Sequence, residues 1–118
     1  MTDERFDVQH LPDKSRYVLL DRGEDGTHDD EIGVEQYVDM TDAAERVLFH
    51  TVVSEEYSGQ GLASTLVRAA VEDVIASGRE IVPVCPYVAA WLPKHPEYAE
   101  HVVQPTAEHL AAVRAATR

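Results

Sequence analysis

The most constraining stretch of this 118-residue chain is the junction Val53-Ser54-Glu55-Glu56-Tyr57-Ser58-Gly59-Gln60-Gly61-Leu62-Ala63-Ser64, where the hydrophobic period changes. Upstream, residues 46–53 (RVLFHTVV) alternate with a period of two. Val47, Phe49, Thr51 and Val53 fall on one face, and Leu48, His50 and Val52 on the other. Both faces are largely apolar, which predicts a central strand covered on each side. Downstream, apolar residues recur at 62, 66, 67, 70, 74 and 75, one face of an amphipathic helix that Ser77-Gly78 ends. Gly59 and Gly61 lie between the two periods. Glycine lets the backbone take a positive φ or approach a bulky anion closely. The first turn of a helix also leaves amides without partners, at the positive end of its dipole. The junction is therefore a candidate phosphate site that needs no basic side chain. The plain alternative is a turn whose glycines only seat helix on sheet. It is not a Walker motif, since no G-K-[ST] follows, and Ser64 stands where a dinucleotide fingerprint has its third glycine.

Other elements take their places around that junction. Residues 16–20 (RYVLL) read as a strand, and 22–31 (RGEDGTHDDE) as a polar turn with Gly23 and Gly26. In 32–40, Ile32, Val34, Val38 and Met40 recur at even spacing around Gln36, which predicts a strand with that face buried. Ile81 to Val84 is a short β-branched run. Pro86 then opens a helical stretch interrupted by Pro93 and Pro96, and 106–116 is Ala-rich and helix-prone. Strands, helix, strand, helix predict a mixed α/β or α+β layer with one strand–helix–strand crossover. The length fits one domain, 1–118.

Charge excludes several functions. The chain carries 22 acidic against 10 basic side chains, a net of −12. Nucleic-acid and anionic-membrane partners are not expected, because both need clustered Lys and Arg. Residues 1–58 hold a net of −11 and residues 59–118 a net of −1. A site for an anionic ligand is thus expected in the second half or at the seam, and the acidic half would suit a cationic acceptor. A single cysteine, Cys85, rules out an intramolecular disulfide. With no apolar leader and no membrane-length run, a soluble cytoplasmic protein is expected. The histidines show no close metal spacing, and no metal is expected.

The pattern V-x-x-x-Y-x-G-x-G-[IL]-[GA] resembles the acyl-CoA binding loop of the GNAT superfamily of N-acetyltransferases. Ser58-Gly59-Gln60-Gly61-Leu62-Ala63 fills its Q/R-x-x-G-x-G/A signature, with Ser58 in place of the usual Gln or Arg. HTVVSEEYSGQGLASTLVRAAV followed by IVPVCPYVAAWLPKHPEYAEHV resembles a subfamily of very short GNAT-like proteins, over about residues 30–103. The resemblance implies a GNAT fold: an N-terminal antiparallel sheet, the loop and helix, and a fifth strand splayed from the fourth to form the acyl-CoA cleft. It also implies acetyl-CoA as cosubstrate and an amine, small or peptidic, as acceptor. The pyrophosphate would sit on the amides of Ser58, Gly59, Gln60, Gly61, Leu62, Ala63 and Ser64. The pantetheine would run along Thr51, Val52 and Val53.

Cys85, between a strand and Pro86, is the candidate acyl carrier; a thiol near a helix start is often activated, although free cysteines also simply fill cores. The subfamily has a cysteine in the matching C-P segment. His50, on the neighbouring strand, is the candidate base, against a plain reading as a hydrogen-bonded core histidine. Trp91 stands where many GNAT enzymes place a tyrosine acid, leaving Tyr87 and Tyr98 as alternatives. Lys94 and His95 could reach the adenine-side phosphates or merely end a solvated helix. The resemblance thus implies an acetyl-CoA-dependent N-acetyltransferase, acting through or beside Cys85. The rival reading is a CoA-binding module with little or no catalysis, distinguished by turnover against a panel of amines.

Overall fold

The computed structural model describes residues 5–117. Five strands form one sheet in the order β1 (Phe6–Leu11), β2 (Arg16–Asp21), β3 (Asp30–Asp39), β4 (Glu45–Val53) and β5 (Glu80–Pro83). The first four pair antiparallel, and β5 pairs parallel to β4. The parallel step requires a crossover, which α1 (Leu62–Ala76) supplies. α2 (Pro86–Trp91) follows β5, and α3 (Ala107–Ala116) closes the described chain. This is the mixed, mostly antiparallel α/β architecture expected, with β1 as an added edge strand that periodicity did not mark.

α1 lays Leu62, Leu66, Val67, Ala70, Val71 and Val74 on one face of the sheet, against Tyr17, Leu19, Tyr37, Leu48 and Ile81. α3 packs on β3 and β4 from the other side. His109 of α3 bonds to Glu45 of β4 at 2.8 Å, and its other ring nitrogen closes a capping box with Thr106. Helices on both faces explain why β4 is apolar on both.

Two strand faces differ from the sequence expectation. In β3 Ile32 is buried as expected, at the register shift against β2, but the other buried side chains are Glu35 and Tyr37, at odd positions, while Val34 and Val38 are half-buried. The odd face lies under α1, and the even, more apolar face meets the smaller cover of α3. In β4 the register slips: Gln36 pairs with His50 and Tyr37 with Leu48, leaving Phe49 as a bulge. One extra residue inverts the alternation beyond it. Leu48 therefore shares the α1 face with Thr51 and Val53, not with His50 and Val52.

Candidate active site

The bulge and the short β5 together open the sheet. β5 pairs with β4 only through Glu45–Leu48, and the amides of Val84 and Cys85 both close on the Leu48 carbonyl, at 3.1 and 2.9 Å. From Phe49 to Val53, β4 has no strand on that side. Ser54 N–H bonds back to Ile32 on β3, so alternation turns the backbone groups of Thr51 and Val53 away from β3, into the gap. The gap is a cleft of about 350 Å³, lined by Thr51, Val53, Ser54, Tyr57, Ser58, Gly59, Gly61, Leu62, Ala63 and Tyr87, with Glu55 at its edge.

The glycine turn forms one end of the cleft. Gly59 and Gly61 have φ of 83° and 72°, and a Cβ built on either meets nothing within 4 Å. The space above both is thus open to a ligand, while a side chain there would occupy it in a strained backbone. Among the described residues no side chain caps α1, whose start at Gly61, Leu62 and Ala63 lines the cleft, so its first amides have no side-chain partner there. These features fit the pyrophosphate of a CoA, and the free β4 edge fits an extended amide arm.

A buried carboxylate anchors the entry to this turn. Asp21 receives hydrogen bonds from Arg5 (2.8 Å), the Gly23 amide (2.8 Å) and the Tyr57 hydroxyl (2.5 Å). The Arg5 hydrogen bond first, then those of Tyr57 and Gly23, hold Asp21 well below the usual carboxylate range. Tyr57 sits one residue before Ser58, so the anchor sets where the loop begins. Tyr57→Phe is expected to weaken CoA binding severalfold, read by calorimetry, with kcat for bound acetyl-CoA little changed. Unaltered affinity would detach the anchor from the site.

Cys85 does not itself line the cleft but lies against Thr51, which does. It is 4% exposed, at the corner between β5 and α2, with its Sγ 3.1 Å from Thr51 Oγ1. Thr51 Oγ1 donates in turn to Glu35 Oε1 across the β3–β4 pair. Glu35 is completely buried, and its Oε2 has no hydrogen-bond partner among the described residues. Burial pushes its carboxyl up to about 8, against smaller opposing effects of the Thr51 hydroxyl and the His50 amide. Sequence reasoning missed Glu35 because the odd face of β3 was read as solvent-facing. Tyr37 at the same parity was the available signal.

The sign of the Glu35 shift sets a pH dependence of stability. Between its ordinary value of 4.5 and about 8, the folded chain keeps a proton that the unfolded chain has released. Its contribution is whole below that window and is lost as pH rises through it. Unfolding free energy should therefore fall across the window, by on the order of a few kcal/mol. In Glu35→Gln the slope should flatten. Urea titrations at the two ends of the window measure it, and an unchanged slope in the variant would contradict the assignment.

The remaining candidates divide plainly. His50 is exposed, and alternation points it to the face opposite Thr51 and Cys85; the structure does not bring His50 and Cys85 together. Val52, 44% exposed, shares the His50 side, while Gln60 is exposed at the tip of the turn. Ser64 accepts a 2.8 Å hydrogen bond from Trp91 Nε1, which ties α2 to the first turn of α1. Lys94 is exposed after α2 and does not line the cleft, and the His95 ring stacks on Trp91 at 3.7 Å. Tyr98 is buried, with its hydroxyl between Glu72 and Arg68. Of the two alternative tyrosines, Tyr87 is in the cleft. No group of three or more His, Cys, Asp or Glu suited to a metal occurs among the described residues, and no described helix is long and apolar enough to cross a membrane.

An open-sheet cleft between antiparallel β4 and parallel β5, with a glycine turn into α1, is the arrangement that the sequence resemblance implies. Residues 16–102 match the model of the GCN5-related N-acetyl-transferase family, and the chain belongs to that family. The NMR solution structure of a GCN5-like protein from Staphylococcus aureus overlays with a TM-score of 0.61, covering 89% of this chain and 95% of that one at 22% identity. That likeness confirms the fold. The crystal structure of the ribosomal-protein-S18-alanine N-acetyltransferase from Escherichia coli overlays only partly: TM-score 0.46, 17% identity, 68% of this chain and 42% of that one. No curated protein matches the sequence significantly. Family membership supports acyl-transfer function in general.

Proposed function

We propose that the chain is an acetyl-CoA-dependent N-acetyltransferase, a single minimal domain in which the acetyl group reaches an amine by way of Cys85. The observation carrying this reading is the free edge of β4, which runs unpaired from the Cys85 corner to the Gly59–Gly61 turn. The amides of 58–64 hold the pyrophosphate. The Thr51 and Val53 backbone pairs the pantetheine arm, as a strand would. That register brings the thioester to the Cys85 end.

Cys85 Sγ attacks the acetyl carbonyl as a thiolate; its S–C bond forms while the thioester bond to CoA breaks. Tyr87, in the cleft, is placed to give its hydroxyl proton to the departing CoA thiolate and regains one from water. The acceptor amine then attacks acetyl-Cys85, its N–C bond forming as the Cys85 S–C bond breaks, and its proton passes to water. Holding the reactants together in one cleft supplies most of what such a small scaffold can offer.

Intact-mass measurement after mixing with acetyl-CoA alone tests the route. One acetyl group on Cys85, removed on adding an amine, is expected. No adduct, with transfer intact in Cys85→Ala, would mean direct attack by the amine. CoA binding without transfer to any amine of a panel would leave a binding module.

A further inference from the structure

Glu35 on β3, Thr51 on β4 and Cys85 at the β5–α2 corner form one chain of hydrogen-bonding groups, ending in a carboxyl that has no charged partner among the described residues. We propose that Glu35 is the positioning residue for Cys85, holding through the Thr51 hydroxyl the proton that leaves the thiol. The proposal rests on the reading of Cys85 as the acyl-accepting thiol.

The chemistry balances as a shift of one proton along two hydrogen bonds. Cys85 Sγ–H passes its proton to Thr51 Oγ1 as Thr51 passes its own to Glu35 Oε1. Once the pair has released its first proton, near pH 8, a thiol and a carboxylate exchange with a thiolate and a carboxylic acid, and the net charge is unchanged. That matters in a buried site, where one negative charge is costly and two are far more so. The reoriented hydrogen bonds then run from Glu35 through Thr51 toward the thiolate. When the acetyl group leaves Cys85, the proton returns by the same path.

The surroundings leave Glu35 available. Tyr17 stands opposite it on β2, and its hydroxyl is occupied by Asp73 of α1 and Arg46 of β4. Tyr37 lies two residues along β3, with its hydroxyl on His10 of β1. α1 adds Leu66 and Val67 to that layer. Arg46 is bound by Asp39 and lies close to Asp73, so it offers Glu35 no free cation. Solvation cannot hold charge on the carboxylate, which leaves the proton affinity of Glu35 near that of an ordinary thiol.

The test is a pH titration of the free protein by carbon-13 NMR, reading Cys85 Cβ and Glu35 Cδ. Coupled groups lose protons in steps that belong to the pair. Glu35 Cδ should therefore report a step near pH 8, and Cys85 Cβ should respond in the same step. Glu35→Gln and Thr51→Val should each remove that shared response from Cys85 Cβ, while Thr51→Ser should keep it. A Cys85 Cβ response that ignores the Glu35 step in the wild type, or is unmoved in the variants, would overturn the proposal. If Glu35→Gln does not fold, the Thr51 pair decides alone. No acetyl-CoA is present, so failure here is separate from failure to transfer acetyl groups.

Discussion

Replacing Cys85 with alanine should lower acetyl transfer to an amine by about a thousandfold or more, with the acetyl adduct lost entirely. Cys85 is the chain's single thiol, and it lies against Thr51 of the cleft wall, where the free β4 edge meets β5. The fold should survive. The substitution removes one buried sulfur, whose cavity costs on the order of 1 kcal/mol. The Cys85 amide on Leu48 and the Cys85 carbonyl accepting from Ala89 are backbone bonds that alanine keeps. CoA affinity should therefore change little while kcat collapses. Equal losses in affinity and turnover would point to a collapsed corner instead.

Gly61→Val should abolish productive acetyl-CoA binding, raising Kd at least about tenfold. Two effects act together. A β-branched residue at φ 72° is strained, by about 1–2 kcal/mol. Its side chain would also fill the open space above the turn, where the pyrophosphate is placed. Strain alone would lower thermal stability and leave the affinity of the folded fraction intact. Obstruction raises Kd in protein that is still folded. Calorimetry with CoA well below the variant's melting temperature separates them, and a wild-type Kd would remove the turn from the cofactor site.

The parts legible in the sequence were those with an unambiguous period. The α1 face and the Gly59–Gly61 turn follow from apolar spacing and from glycine's lack of a Cβ, and both stand in the structure, with Val71 rather than Ile75 fully buried. β4 resisted for the reason that made it recognisable as central: with both faces apolar, a one-residue slip at Phe49 leaves no mark on the hydrophobic pattern. That slip decides which of His50 and Thr51 meets Cys85. Glu35 was hidden by a general rule, that carboxylates lie in water. It is buried because α1 covers the odd face of β3, a tertiary fact that local spacing does not carry. Asp21 and Tyr57, 36 residues apart, meet only because β3 joins the ends of β2 and β4 that carry them at the same end of the sheet.

The acidity of the first half takes a specific meaning in this fold. Asp21 and Glu35, both on the N-terminal strands, are buried beside the cleft, one anchoring the loop and one adjoining Thr51. The cleft itself offers amides where a basic protein would offer lysines.

Titrating the nitrogen-15-labelled protein with acetyl-CoA and following its amide resonances tests the central claim most directly. The largest shifts should fall on residues 58–64 and on Thr51 and Val53, with smaller ones at Cys85 and Tyr87. No shifts, or shifts confined to the apolar groove formed by Pro83, Leu92 and Val102, would contradict it.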